Sequence, residues 1–311
     1  MKKIIIIGSG PAGLTAALYA ARARFEPLVL AGAEPGGQLT WTALVENFPG
    51  FPEGVDGPDL TRKMRAQAEK FGATVMNESV KSVDFSQRPF KIILENGQTE
   101  EAEAVIIATG AAANWLGLPN EQRLIGHGVS SCATCDGFFF KEKKVAVVGG
   151  GDAAMEEARY LAKICSEVHL IERGAENKMR ASKIMIDYVK AFKNVVWHFK
   201  TEVADVLGGN KVEGLKLKNN QTGQEEEIIL DGLFVAIGHS PATGFLTGQL
   251  EINERGYIKT EAGSTKTKVA GVFACGDCVD WLYRQAVTAA GDGCRAALDA
   301  ERYLQSLLNI I

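Results

Sequence analysis

Cys132-Ala133-Thr134-Cys135-Asp136 sets two thiols at CxxC spacing with a carboxyl group directly after the second. Sulfurs so placed can close into a disulfide or hold a metal, and in a reducing compartment a CxxC is usually one or the other. Zinc would need further ligands at finger spacing. No second CxxC or His pair sits at that spacing around Cys132, and the four histidines are scattered. A redox pair is favoured. Its attacking form is the thiolate, so at least one sulfur needs a lowered pKa. Asp136 is adjacent and could protonate the thiolate that leaves a substrate disulfide, with burial raising its pKa toward that task. The plainer reading of Asp136 is a carboxylate that caps the turn before Gly137, since adjacency in sequence does not fix geometry.

A dithiol that is to be reduced needs an electron source, and the chain carries two glycine-rich loops that suit dinucleotides: Gly8-Ser9-Gly10-Pro11-Ala12-Gly13 and Gly149-Gly150-Gly151-Asp152-Ala153-Ala154. In such loops the glycines permit the tight turn, the approach of pyrophosphate to bare backbone and close helix–strand contact. The helix that follows offers N–H groups and a partial positive charge to the phosphates. Two nucleotides and one disulfide read as a relay from nicotinamide through flavin to a protein thiol. Glu34 falls about 20 residues after the first loop, where a ribose-binding acid would lie. Gly276-Asp277 closes a later apolar strand, where Asp277 could serve a ribityl hydroxyl or a pyrophosphate water, or cap the segment that follows.

Both loops have the strand–turn–helix setting that gives the fingerprint its meaning. Strands are expected at Lys3 to Ile7 and Pro27 to Leu30 around a helix from Leu14 to Arg24. The pattern repeats with strands at Lys143 to Val148 and Val168 to Ile171 around a helix from Ala153 to Lys163. A helix near Leu60–Phe71, alternating segments around Val80–Leu94 and the apolar strand Ala104 to Gly110 lie between them. Gly232 to Gly238 nearly copies that last strand, and Val272 to Asp277 precedes a long helical stretch to the C-terminus. The fold class expected is α/β with two Rossmann-like nucleotide-binding domains, the second inserted into the first. The first would span 1–115 and 244–311, the second 116–243 with the CxxC. At 311 residues each domain can bury a core. The net charge of −4 argues against a nucleic-acid partner, and nothing approaches the ~20 apolar residues of a membrane span. The apolar start runs straight into a phosphate loop and reads as a buried strand, so a cytoplasmic location is expected.

Gly8–Gly13, Gly36-Gly37-Gln38-Leu39-Thr40, Glu46-Asn47-Phe48-Pro49-Gly50, Cys132–Gly137, Gly149–Glu157, Gly238-His239-Ser240-Pro241 and Tyr283-Arg284-Gln285-Ala286 run over essentially the whole chain. Together they resemble the bacterial-type, low-molecular-weight thioredoxin reductases of the class II pyridine nucleotide-disulfide oxidoreductases. The resemblance implies a homodimer that reduces thioredoxin, with FAD in the discontinuous domain and NADPH in the inserted one. It implies FAD contacts from Ser9, Gly10, Pro11, Ala12, Gly13, Ala31, Gly32, Gly37, Gln38, Asn47, Val80, Asp277, Arg284, Gln285 and Ala286. Cys135 would lie against the flavin, Cys132 would attack the partner disulfide, and Asp136 would serve both sulfurs as acid and base. The dithiol and the nicotinamide loop share a domain yet must reach one flavin ring. The family's solution, a large rotation of the inserted domain, is implied with them, and the turn-rich crossings near Asn114–Leu118 and Pro241–Gly244 would be hinges.

One stretch departs from the family. Its members usually end the second strand with His-Arg-Arg and a further Arg, which hold the 2′-phosphate of NADPH. Here Leu170-Ile171-Glu172-Arg173-Gly174-Ala175-Glu176-Asn177-Lys178-Met179-Arg180 stands instead. An acid in the place of Glu172 bonds the ribose 2′-OH of NAD and repels a 2′-phosphate. Arg173, Lys178 and Arg180 remain as cations for that phosphate. Retained NADPH use is therefore the expectation, with NADH preference, or electrons from another donor, as its rivals. Gly149, Gly151 and Ala154 argue that a nucleotide still binds. Cys275 and Cys278 form a second CxxC that could be a further redox pair, but small buried residues fit better. Cys165 and Cys294 read as core residues in Ala-rich helical stretches, and His239 as structural or a neighbour of the nucleotide.

Overall fold

The computed structural model describes residues 2–307. The chain divides into two compact units, one made of Met1–Ala112 with Ser240–Ile311 and the other of Ala113–His239. The units thus change over after residues 112 and 239, slightly ahead of the expected 115 and 243.

In the first unit the apolar run Lys2–Ile7 is a strand whose residues Ile4 to Ile6 have no exposed surface. Continuous apolar strands of this kind belong in parallel sheets covered on both faces. It pairs in parallel with Leu28–Leu30 on one side and with Thr99–Ile107 on the other, and Thr74–Met76 extends the sheet beyond Leu28–Leu30. Thr99–Ile107 serves two further partners along its other edge. Its polar first half pairs antiparallel with Phe90–Leu94, and its apolar second half pairs in parallel with Val272–Ala274. The helices Pro11–Arg22 and Ala286–Leu307 pack through alanines, with Ala12, Ala16, Ala17, Ala20, Ala296, Ala297 and Ala300 in one core cluster. The approach is close enough that a Cβ on Gly293 would come within 2.0 Å of the Ala12 carbonyl oxygen.

The second unit centres on a five-stranded parallel sheet in the order Val195–Phe199, Glu167–Glu172, Lys144–Val148, Gly232–Val235 and Val129–Ser130. The helix Asp152–Leu161 packs beside it. Phe140 meets the Phe234 ring edge-on at 5.4 Å, and a Cβ on Gly232 would lie 2.4 Å from the Phe140 ring, so that ring needs a glycine beneath it. With Ala133 also buried, this contact pins the segment that carries the CxxC. Three antiparallel strands, Thr201–Leu207, Gly214–Asn219 and Glu225–Ile229, add a small sheet that the sequence reading did not include.

Several expectations need correction. The first helix begins at Pro11 rather than Leu14, because proline's fixed φ and missing N–H suit a first helical position. It also ends at Arg22, two residues short of Arg24, which adopts φ +66°. Cys165 is buried but lies in the turn after the helix ends at Leu161, and Cys294 is only half-buried in its helix. The final strand stops at Ala274, and the long helix starts only at Ala286. Its expected last four residues, 308–311, lie outside the described residues. Among the described residues, no helix is long and apolar enough to cross a membrane.

Candidate active site

Cys132 and Cys135 are joined as a disulfide at the start of the short helix Ala133–Asp136. The Cys135 and Asp136 amides both donate to the Cys132 carbonyl, at 3.2 and 3.1 Å, which closes the turn that brings the sulfurs together. Thr134 Oγ1 lies 3.4 Å from Cys132 Sγ. The carboxyl group of Asp136 accepts a 2.5 Å hydrogen bond from Ser130 Oγ, and that hydroxyl also accepts the Cys132 amide at 3.1 Å. Ser130 therefore ties the acid to the backbone of the first cysteine. Burial raises the Asp136 pKa above the ordinary carboxylate range, and the Ser130 hydrogen bond works against that rise. The carboxyl group is thus engaged with Ser130. Nothing in the sequence flagged Ser130, which only the strand Val129–Ser130 brings back over Asp136.

The first glycine loop lies at the carboxyl edge of its sheet, where ligands bind in open α/β folds. Gly8 has φ +109°, donates its N–H to Leu30 O at 2.8 Å, and could carry no Cβ, which would lie 2.2 Å from Ala108 O. Gly13 is equally confined, 2.0 Å from Gly8 O by the same construction. Gly10, by contrast, faces open space, with nothing nearer than Gly36 O at 4.0 Å. Ser9 is buried, donating to Ala31 O at 3.1 Å and accepting the Gly36 amide at 3.0 Å. Gly37 sits against Gly10, and Gly276 against the Ala12 side chain. Asn47 Nδ2 donates to Gln285 Oε1 at 3.3 Å. The fold thus gathers the first loop, the Gly36-Gly37 turn and the segment from Gly276 around one edge, and joins Asn47 to Gln285. Val80 packs in the core cluster beneath, with Ile7 and Leu30.

Asp277 is the most informative residue of this edge. Its Oδ1 is buried without a hydrogen-bond partner among the described residues, so it caps nothing. Burial first, and the nearby Asp280 second, push its pKa up to about 7. A buried polar atom with no partner asks for a ligand, and a flavin dinucleotide fits it with its ribityl hydroxyls. Arg284 adopts φ +47° and is held by its amide on Asp280 Oδ2 at 3.1 Å. Glu34 is exposed and accepts Trp41 Nε1 at 3.4 Å. Cys275 and Cys278 are buried free thiols whose pKa values burial pushes up, to about 11 for Cys278, so neither is a reactive thiolate.

The second loop repeats the first. Gly149 has φ +147°, donates to Ile171 O at 3.0 Å, and would place a Cβ 2.4 Å from Ala236 O. Gly151 is open on its outer side, as Gly10 is. Ala154 stands where the first loop has Gly13, fully buried. At the end of the neighbouring strand, Glu172 turns its carboxylate back onto the loop. It accepts the Gly174 amide at 2.8 Å, and a Cβ on Gly150 would fall 1.7 Å from its Oε2. Arg173, Lys178 and Arg180 are exposed, while the Arg180 and Ala181 amides donate to Gly150 O at 2.9 and 3.0 Å.

A disulfide beside a half-buried acid, together with two glycine loops of dinucleotide type, defines a class of electron-transfer enzyme. The family profile described as pyridine nucleotide-disulphide oxidoreductase matches residues 2–293, and the chain belongs to that family. Its enzymes are flavin-dependent. The relatives narrow the class to the thioredoxin reductases. A thioredoxin reductase of Escherichia coli O157:H7 is 50% identical, covering 98% of this chain and 97% of its own. One from Streptomyces clavuligerus is also 50% identical, over 99% of this chain and 95% of its own. The solved thioredoxin reductase from Giardia duodenalis aligns with a TM-score of 0.92 at 44% identity, covering 97% of this chain and 98% of that one.

Proposed function

We propose that this chain is an FAD-dependent NAD(P)H:thioredoxin-disulfide oxidoreductase that works as a cytoplasmic homodimer. The observation that carries the reading is the Cys132–Cys135 disulfide with Asp136 half-buried next to it on Ser130. When bound, a flavin takes two electrons from reduced nicotinamide and hands the pair to a disulfide, which is the number one disulfide accepts.

In the reduced protein Cys132 attacks the thioredoxin disulfide as a thiolate, and one thioredoxin sulfur leaves. Asp136 holds a proton at its carboxyl group for that leaving sulfur, which burial keeps available at higher pH than in water. Cys135 then displaces the mixed disulfide, so that both thioredoxin sulfurs depart as thiols and the Cys132–Cys135 bond is restored. The flavin dinucleotide is held by the Gly8–Gly13 loop, Ser9, the Ala31–Gly32 and Gly37–Gln38 turns, Asn47, Val80, Asp277 and Arg284–Ala286. The nicotinamide nucleotide takes the Gly149–Ala154 loop.

Large apolar side chains left exposed on the first unit, among them Trp41, Leu44, Trp281 and Leu282, suit burial against a second copy. The four other cysteines are free thiols, as a reducing compartment allows. The test is reduction of a purified thioredoxin by the flavin-loaded protein with NADH and with NADPH. Thioredoxin left oxidised with both donors would overturn the reading.

A further inference from the structure

We infer that Glu172 is the residue that selects the nicotinamide nucleotide, and that it selects NADH over NADPH. The inference rests on the proposed function, since it concerns which donor feeds the same dithiol.

The geometry is specific. Glu172 ends the strand next to the loop strand, and its carboxylate is not free to swing into water. The Gly174 amide holds Oε1 at 2.8 Å, while Oε2 lies over the Cα of Gly150, so close that any side chain there would collide with it. Gly150 is the middle residue of Gly149-Gly150-Gly151, and its carbonyl is fixed by the Arg180 and Ala181 amides. The adenosine ribose of a nucleotide on this loop has to pass over that residue. A carboxylate already held there accepts hydrogen bonds from the ribose 2′- and 3′-hydroxyls without being reordered. A 2′-phosphate in the same place brings about two negative charges against it.

The three cations nearby do not reverse this. Arg173, Lys178 and Arg180 are exposed, and among the described residues none has an ion-pair partner that would hold its side chain toward the loop. Each would have to be drawn from water and ordered to reach the phosphate, whereas the carboxylate stands ready. Gly174 supplies the amide that anchors the acid, and the 3₁₀ turn Glu176–Lys178 follows it. The segment after the strand is thus built to seat a carboxylate rather than a phosphate.

The test is equilibrium binding of NAD⁺ and NADP⁺ to the oxidised, flavin-loaded protein by calorimetry, which involves no turnover. The native protein should bind NAD⁺ at least tenfold more tightly than NADP⁺. Glu172→Gln keeps the amide anchor through its side-chain oxygen but removes the charge, and should move that ratio tenfold or more toward NADP⁺. NADP⁺ bound as tightly as NAD⁺ by the native protein would overturn the inference. So would a ratio in Glu172→Gln within twofold of the native one. Reduction of thioredoxin by the dithionite-reduced protein, with no nucleotide present, separates the two levels. If it fails, the thioredoxin function fails while the binding ratio still judges Glu172; if it succeeds and the ratio is wrong, only the role of Glu172 falls.

Discussion

In the first loop Gly8 wedges under Ala108 O, Gly10 is left open, and Ser9 turns its hydroxyl inward to bind Ala31 O and the Gly36 amide. In the second, Gly149 wedges under Ala236 O and Gly151 is left open, but the middle residue is Gly150, with the Glu172 carboxylate lying on it. The shared parts are those any pyrophosphate needs. On the proposed function, the parts that differ are what separates one nucleotide from the other. A serine locks the first loop to its neighbouring turns; a glycine in the second clears space for a charge from the next strand. The two units differ also in where their acids are kept. Asp277, half-buried on the first, keeps one buried oxygen unpartnered among the described residues, and Asp136, half-buried on the second, is held by Ser130.

The sharpest break in this comparison comes from the cysteines. Cys132→Ser and Cys135→Ser should each abolish thioredoxin reduction while the purified protein stays yellow, because the residues proposed to hold the flavin lie on the other unit. Loss of the flavin absorbance in either variant would show the two units to be less separable than described. Next in size is Asp277. Its pKa, raised to about 7 in the ligand-free fold, lies above that of an unfolded aspartate near 4, so the folded protein binds more protons between those values. Flavin-free protein should therefore lose stability as pH rises from about 4 to 7, by an amount on the order of 4 kcal/mol at most. Asp277→Asn should flatten that slope in urea titrations at several pH values, and should also weaken FAD retention.

Gly8→Ala and Gly150→Ala set the two loops against each other directly. At Gly8 the new methyl meets backbone, in a left-handed conformation that alone costs ~1–2 kcal/mol. The melting temperature and flavin content should both fall. At Gly150 the methyl meets only the end of the Glu172 side chain, so stability should change little while nucleotide binding shifts. Equal destabilisation by both would mean that the Glu172 carboxylate on Gly150 gives way no more easily than the backbone over Gly8.

The smallest effect is expected at Ser130. Removing its hydroxyl removes the hydrogen bond that restrains Asp136, so Ser130→Ala should move the Asp136 limb of the pH profile to higher pH in single-turnover thiol exchange. Asp136→Asn should erase that limb and slow the exchange by about 10²-fold or more. An unmoved limb in Ser130→Ala would mean that the hydrogen bond has no part in tuning the acid.

Much of the layout was legible because the parallel strands are continuous apolar runs and Gly8, Gly13 and Gly149 each sit where a side chain would collide. What escaped shows where sequence patterns stop. Thr99–Ile107 was read only from Ala104, because its polar first half pairs at the antiparallel flank of the sheet and breaks the apolar run. The strands Thr201–Leu207, Gly214–Asn219 and Glu225–Ile229 were not read, though alternation such as Leu215-Lys216-Leu217-Lys218 marks a half-buried strand. Ser130 and the Glu172–Gly150 contact are invisible to spacing, since each depends on a neighbouring strand returning to one edge. The acid itself was legible at Glu172; its seat on Gly150, the basis of the inferred NADH preference, was not.

The most direct measurement is an anaerobic single turnover. The flavin-loaded protein is mixed with one equivalent of NADH and an excess of oxidised thioredoxin, while flavin absorbance and free thioredoxin thiols are followed together. The account predicts that the flavin band bleaches and recovers as two thiols appear per NADH, and that Cys132→Ser bleaches without yielding thiols. Thiols formed by Cys132→Ser at the native rate, or none formed by the native protein with either nicotinamide nucleotide, would contradict it.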